Sequence, residues 1–583
     1  MSRSSSFTPK LILCLKDYSK KTFLADLLAG LTVGVVALPL AMAFSIASGL
    51  PPERGIFTAI VAGFLISALG GSRVQIGGPT GAFVVIVAGI VAEYGYDGLV
   101  WCMILAGGFL IALGVARMGI LIKFIPFPVT TGFTTGIAVV IFFTQIKDLL
   151  GLRMESVPSE FAERCIALAV HIDTINPVAA ALGLGTITVI VLTRRLFPRL
   201  PAMLVGMFAA TLVAYVFQLD VETIGSRFGD LPRTLPSPRL PHFDLGQIRS
   251  LVSPAFTVGL LAAIESLLSA TVADGMTGNR HRPNVELVAQ GTANIASAFL
   301  GGIPATGAIA RTATNIKSGA KTPVAGILHS LTLLLLLLLF APLAKAIPLT
   351  ALAGILIVVA YNMSELHHFV GLFKAPASDV VVLLSTFALT VLVDLTVAVE
   401  VGVVLASLLF IRRMAEVSSI GVITREVRGD EEEGADANAI TLRHVPAGVE
   451  VFEVQGAFFF GAADRFMEAV RTLERPPMVL ILRLRSVFAL DATGLHALEE
   501  LLKRCHHDRT TLVLSGVHAQ PLVALQRKGL CDRIGEENIH GHIDDALDRA
   551  CDLVGTPRQR RPNALDPAAE SHAGGRNSVD QKT

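Results

Sequence analysis

What most constrains this chain is where its apolar residues sit. They crowd into one block, roughly residues 25 to 413, and the remainder of the 583-residue sequence is of ordinary polarity. At about 20 residues per crossing, plus turns, such a block has room for about 12 to 14 membrane-spanning helices. Clear apolar runs stand at Leu27–Ser48, Leu99–Arg117, Val178–Leu196, Pro254–Ala273, Pro323–Ala344 and Val380–Val393, and other stretches are short or broken by Gly and Pro. Only 16% of the chain is charged and its mean hydropathy is +0.63, whereas soluble domains carry about 25% charge. The chain therefore reads as a polytopic α-helical membrane protein. Ala41-Met42-Ala43 in the first run resembles a signal-peptide cleavage site. The polar stretch before it is too long for that, and many spans follow, so the run is read as the first membrane helix.

The charges fix an expected orientation. Lys16, Lys20 and Lys21 precede the first span, and Arg117, Lys123, Arg194, Arg195, Arg199, Arg280, Arg282, Arg412 and Arg413 follow later ones. An even number of spans puts all of them on one side, so both termini are expected in the cytoplasm of a cell with this protein in its inner membrane. The connections 151–175 and 218–250 then fall outside. A formal net charge of +1 gives no field for nucleic acid. The six cysteines form no CxxC pair, which leaves no disulfide framework or zinc ribbon to expect.

Past Arg413 the composition changes. An acidic connector, Arg428-Gly-Asp-Glu-Glu-Glu-Gly434, leads into strand-like runs at Val449–Gln455, Met478–Leu484 and Thr511–Leu514 and helical patterns at Ala463–Leu473 and Thr493–Cys505. This is a small α/β domain. The expected organisation is a cytoplasmic N-terminus (1–24), a transmembrane domain (25–413), a linker (414–438), the α/β domain (439–555) and a disordered tail (556–583).

Two membrane segments repeat one another. Gly77-Gly78-Pro79-Thr80-Gly81-Ala82 and Gly301-Gly302-Ile303-Pro304-Ala305-Thr306-Gly307-Ala308 lie about half the membrane region apart. Interrupted segments at matching places in two halves mark the central site of many transporters. Gly-Pro halts one helix and lets another begin, and the new helix presents unpaired N–H groups and a positive dipole end. Two facing ends make an anion site. Either segment alone is no more than the usual Gly and Pro content of membrane helices; the matched pair carries the weight.

Ionisable residues inside spans are a second pointer. Glu265 interrupts an apolar stretch, and Arg311 falls about one turn into the second short helix. Arg311 is read as the fixed charge for a bound anion and Glu265 as the group that titrates or holds a coupling cation. The competing reading is a structural Glu265–Arg311 ion pair. Arg73, Lys147-Asp148, Asp394 and Glu400 are read as interfacial.

These residues resemble the SulP family of anion transporters: Gly30 to Ser45, Gly77 to Gly81, Ala273-Asp274-Gly275 with Asn294, and Pro304 to Arg311 with Asn315. The segment Asp491-Ala492-Thr493-Gly494-Leu495 is similar to that family's cytoplasmic STAS domain. The resemblance implies fourteen segments in two inverted seven-span repeats, divided into core and gate domains, with the third and tenth segments being half-helices preceded by short strands. It further implies substrate held between those helix ends, an elevator motion, and a homodimer in membrane lipid. Carried onto this chain, the substrate-site candidates are Phe44, Thr80, Gly81, Thr306, Gly307, Ala308 and Arg311. Glu265 and Ser269 match positions that hold a coupling ion, with H+ favoured over Na+ because Glu replaces the Asp of sodium-coupled members. Leu40 follows Pro39 where many members have Gln. Asn362-Met363-Ser364-Glu365 and the stretch from Ala273 to Gly278 look most like the C4-dicarboxylate branch.

Thr493 matches a regulatory phosphosite of anti-sigma-factor antagonists. Asp491 and Thr493 are equally good helix caps. A protein or nucleotide partner of the STAS domain is a further expectation.

The expected function is thus secondary active transport of a small anion, most simply proton-coupled dicarboxylate uptake, with sulfate, bicarbonate, an exchanger or a channel as alternatives. A nucleobase permease shares the architecture but has no evident use for Arg311. Ser318-Gly319-Ala320-Lys321-Thr322 lacks the glycine spacing of a phosphate loop. No catalytic triad or metal-ligand cluster is evident, so neither an enzyme nor a cofactor is expected.

Overall fold

The structure is a computed structural model. It describes residues 7–119, 126–154, 158, 160–197, 200–234, 238, 245–393, 395–417, 419–422, 440, 443–456, 458, 466–467, 470 and 475–558. Lys123, Arg199, Asp394, the connector 428–434, the tail beyond 558, most of the expected helix Ala463–Leu473 and the side chains of Glu400, Arg412 and Arg413 lie outside the described residues. The chain divides into two units, Met1–Ala406 and Ser407–Thr583.

The first unit is built from α1 (Lys20–Ala47), α2 (Pro52–Leu69), β1 (Gly77–Gly78), α3 (Val84–Val115), α4 (Phe127–Leu150), α5 (Pro177–Leu196), α6 (Ala202–Val216), α7 (Val252–Thr277), α8 (Pro283–Phe299), β2 (Thr306–Gly307), α9 (Ile309–Lys317), α10 (Val324–Ala344), α11 (Leu349–Met363), α12 (Ala377–Leu392) and α13 (Leu395–Val417), which runs into the second unit. Among the described residues, seven of its helices are long and apolar enough to cross a membrane. The expected runs fall on α1, the second limb of α3, α5, α7, α10 and α12. The connections 151–175 and 218–250, expected as loops, also contain short helices, at Phe161–Val170, Ile224–Phe228 and Leu245–Ser250.

The helix α3 is two segments in one. At Gly95 the backbone turns to φ 69° with no atom within 4 Å of a would-be Cβ, so the break needs a residue free to enter left-handed space rather than a close approach. Counting both limbs gives fourteen segments, seven up to α6 and seven from α7. The contacts obey the repeat: α2 packs on α10 as α8 packs on α3, and α1 packs on α10 as α7 packs on α3. Separately, α4 packs on α11 and α12, and α11 on α5. The first set is the core domain, the second the gate.

Polar side chains pin the extended segments, two of the three sets across the repeats and Asn294 within its own. Glu286 in α8 accepts from the N–H groups of Gly71 (2.8 Å) and Ser72 (3.2 Å). Arg54 in α2 donates to the Gly301 carbonyl and lies 3.4 Å from the centre of the Tyr96 ring, whose hydroxyl bonds the Gly302 carbonyl. Asn294 both accepts from Ala305 N–H (2.8 Å) and donates to its carbonyl (2.9 Å). Unpaired backbone groups are costly where water is excluded, and these bonds let irregular chain lie inside the bundle. Asn294→Ala leaves two buried backbone groups without partners, and we expect it to destabilise the protein by roughly 2–4 kcal/mol. The thermal midpoint of the purified protein in detergent checks this; an unchanged midpoint removes the pinning role.

The second unit holds a five-stranded sheet in the order β3 (Ser419–Val422), β4 (Val449–Gln455), β5 (Val479–Ser486), β6 (Thr511–Ser515) and β7 (Ile539–His540). β3 is antiparallel to β4 and the other pairs are parallel. The alternation of buried residues splits the core between two faces: Leu480 and Leu482 meet α14 (Ala492–Asp508), while Val479 and Ile481 meet α15 (Ile543–Val554). Asp491 caps α14 through Gly494 N–H (2.8 Å), and Thr493 stands exposed in its first turn. The cap is therefore Asp491 alone. Burial pushes the Cys505 thiol up to about 12, as suits an inert core residue.

Candidate functional site

The two interrupted segments meet in the core. β1 and β2 pair antiparallel, Gly77 against Gly307 and Gly78 against Thr306, and from this bridge each chain enters a helix. One begins as a 3-10 turn at Gly81–Phe83 and continues into α3; the other is α9. Neither start carries a side-chain cap, so the first-turn N–H groups keep the positive end of each dipole open. The bridge is held by side chains around it. Ser266 Oγ lies 2.7 Å from Thr306 Oγ1 and accepts from Gly307 N–H, Thr312 Oγ1 accepts from Ile76 N–H, and Asn315 donates to the Val74 carbonyl.

A cavity of about 380 Å³ opens in front of the two helix starts. Phe44, Thr80, Gly81, Gly307, Ala308 and Arg311 line it, with Glu265 and Leu40. The structure thus brings together six of the seven substrate-site candidates. Thr306 and Ser269 stand elsewhere. The Thr306 hydroxyl turns back to the Ala262 carbonyl, and Ser269 Oγ lies 3.2 Å from Thr312 Oγ1, both fully buried behind the bridge.

Glu265 and Arg311 form no ion pair. Glu265 Oε2 accepts from Thr80 Oγ1 at 3.0 Å, and no basic nitrogen lies within 4.0 Å of it among the described residues. Arg311 is 3% exposed, donates from Nη2 to the Pro79 carbonyl and keeps Nη1 without a partner. Both groups come from the second repeat and serve the first half-helix: the α9 arginine reaches the segment before Thr80, and the α7 carboxylate holds Thr80 itself. That cross-bracing replaces the expected alternative of a salt bridge. Gly78 makes room for it, because its φ of 148° is hostile to side chains and a Cβ there would stand 2.6 Å from Arg311 Nη1.

The opposite wall comes from the gate and was not read as a site from sequence. It includes Thr134, Arg194, Met203, Asn362, Met363 and Glu365. Arg194 Nη1 donates to Asn362 Oδ1 at 3.3 Å. Basic residues are common at helix ends, so nothing local marks Arg194 as more than an orientation signal. The Asn362–Glu365 stretch was singled out only as a branch likeness. Met363 meets the core closely, since a Cβ on Gly81 would lie 2.7 Å from its sulfur. Among the described residues no group of His, Cys, Asp and Glu is arranged to hold a metal.

Two inverted repeats, a gate, and a cavity at two uncapped helix starts define a multi-pass membrane carrier of anions. Residues 23–386 match the Sulfate permease family and residues 442–546 the STAS domain. The chain belongs to that family: it is an anion transporter with a C-terminal STAS domain, and not an enzyme. It is 40% identical over 91% of its length to YvdB of Bacillus subtilis, covering 98% of that protein, which bears a provisional sulfate-transporter name. The transmembrane domain of the bicarbonate transporter BicA of a cyanobacterium is 31% identical, with a TM-score of 0.60 over 66% of this chain and 98% of that one. The fold is also that of murine Slc26a9 in its inward-facing state, with a TM-score of 0.83 at 19% identity, over 94% of this chain and 96% of that one.

Proposed function

We propose that this protein takes up a small oxyanion together with a proton, by moving the core, with its half-helix site, past the gate as an elevator. The observation that carries the reading is the shared cavity. Arg311 of one half-helix and Glu265, bonded to the other, line the same space without neutralising each other. Arg311 and the open helix ends attract the anion. A carboxylate beside them repels it, and two like charges about 5 Å apart at an effective dielectric of about 20 oppose each other by roughly 3 kcal/mol. Protonating Glu265 removes that repulsion, so anion and proton bind together. Sulfate and bicarbonate are the first substrates to test, because those anions name the relatives. Both termini and the STAS domain are assigned to the cytoplasm by the basic residues, and a homodimer is the assembly the family likeness implies. Phosphorylation of exposed Thr493 is retained as a regulatory possibility for test by phosphoprotein mass spectrometry.

A second reading, uptake of a C4-dicarboxylate such as succinate, draws on one observation. Arg194 stands on the gate wall opposite Arg311, and two guanidinium groups on facing walls suit an anion with two separated carboxylates. The deciding experiment is uptake of labelled sulfate, bicarbonate and succinate into proteoliposomes under an inward proton gradient, with and without sodium. We expect sulfate or bicarbonate to accumulate with protons alone. Succinate accumulating instead establishes the second reading; accumulation only with sodium overturns the proton coupling in both.

A further inference from the structure

A second charged cavity, of about 730 Å³, lies behind the half-helices and away from the cavity just described. Its walls join the chain before α1, the approach to β1, the end of α7 and the chain between α9 and α10. Three cations line it: Lys21, Arg73 and Lys321, against the single carboxylate of Asp17. Among the described residues, none of the three side chains has a hydrogen bond or ion pair. A second carboxylate, Asp26, is already engaged, accepting from Lys321 N–H, Thr322 N–H, the Thr322 hydroxyl and Tyr18. Nearby, burial and then the charges of Arg73 and Arg282 hold the Lys10 ammonium below its ordinary value.

The segment that lines the crevice through Leu13 and Cys14 is apolar and uncovered on its outer side. There Ile12 (53% exposed) and Leu15 (50%) stand three residues apart, and Phe23, Leu24 and Leu28 are exposed along the start of α1. A short amphipathic segment with lysines beside exposed Ile, Leu and Phe lies in the membrane interface, with its apolar side among the acyl chains. That places Lys21, Arg73 and Lys321 at the depth of the phospholipid phosphates, where basic residues attract anionic lipid.

We propose that this crevice binds the headgroup phosphate of an anionic phospholipid, held by Lys21, Arg73 and Lys321, with the acyl chains against Ile12 and Leu15. The bound lipid touches both arms of the transport bridge. Arg73 immediately precedes Val74, whose carbonyl is held by Asn315 of α9, and Lys321 follows the end of the same helix. Occupancy of the crevice therefore steadies both half-helices from behind.

The test titrates the purified full-length protein in a neutral detergent with phosphatidylglycerol, phosphatidylcholine or inorganic phosphate, and reads the thermal midpoint. We expect phosphatidylglycerol alone to raise the midpoint at low concentration. Arg73→Gln/Lys321→Gln should weaken that response roughly 30-fold, about fivefold per charge. Should the double variant prove unfolded, Lys21→Gln, in the exposed first turn of α1, is expected to weaken the response about fivefold on its own. Ile12→Ser/Leu15→Ser keeps the cations and should also lose affinity for the lipid. Wild-type affinity in the charge variants overturns the site, and so does an equal response to phosphatidylcholine. A response to inorganic phosphate at the same concentrations assigns the crevice to a free anion and overturns the lipid.

Discussion

Glu265→Gln is expected to abolish accumulation driven by a proton gradient while leaving exchange of substrate across the membrane intact. Glutamine keeps the volume of the side chain and an oxygen to accept from Thr80, so the bond of 3.0 Å that ties α7 to the first half-helix survives. Only the ability to change charge is lost. A carrier moving one proton with each anion, with charge otherwise balanced, concentrates its substrate about tenfold for each unit of pH difference, the equivalent of about 1.4 kcal/mol. The variant should bring inside and outside substrate to equality at every gradient. Its anion affinity should also stop falling as pH rises, because the neutral amide never presents the repelling charge. Proteoliposome uptake and counterflow measured side by side decide the matter: wild-type accumulation by the variant removes Glu265 from the coupling, whereas loss of counterflow as well makes it part of the anion site.

Arg311→Met should weaken substrate binding by roughly two to four powers of ten. The guanidinium is nearly fully buried, and Nη1 has no partner among the described residues, so it is held ready for a group that arrives from the cavity. Losing a buried charge partner costs a bound ion about 3–5 kcal/mol. Arg311→Lys should fall between, since it keeps the charge and loses the planar fork as well as the bond to Pro79. The measurement is KM for uptake in both variants, alongside the thermal midpoint. An unchanged KM in the methionine variant would make Arg311 a brace for the Pro79 segment alone, and a lowered midpoint with normal KM in both would say the same.

The two groups behind these predictions were legible in the sequence for a simple reason. Charge inside a long apolar run is expensive, so Glu265 and Arg311 stand out against their surroundings however the chain folds. The paired Gly/Pro breaks were legible for a related reason, since they end helices locally. Asp26 and Glu286 are as deeply buried, yet each sits near the start of its helix, where an acidic residue is unremarkable. The backbone N–H groups each one holds lie far away in sequence, and nothing near either residue names them.

The gate wall shows the limit more sharply. Arg194 and Asn362 come from helices of different repeats, α5 and α11, and their meeting on one wall of the cavity depends on how those helices pack. Thr306 and Ser269 show the converse: their residue types and positions suit a polar site, but the handedness of the helix start turns one hydroxyl to the Ala262 carbonyl and packing turns the other to Thr312.

By itself, then, the sequence determined the class of protein, the two-repeat plan, the STAS domain and the places where helices must break. Each of those follows from hydropathy, from local backbone chemistry or from motifs read along the chain. Tertiary packing settled which broken ends face one another, that Glu265 and Arg311 both brace the Pro79–Thr80 segment instead of pairing, and which gate residues close the cavity. Those are contacts between residues tens to hundreds of positions apart. They are set by the way ridges and small residues let helices approach, a property of surfaces that no single stretch of chain contains.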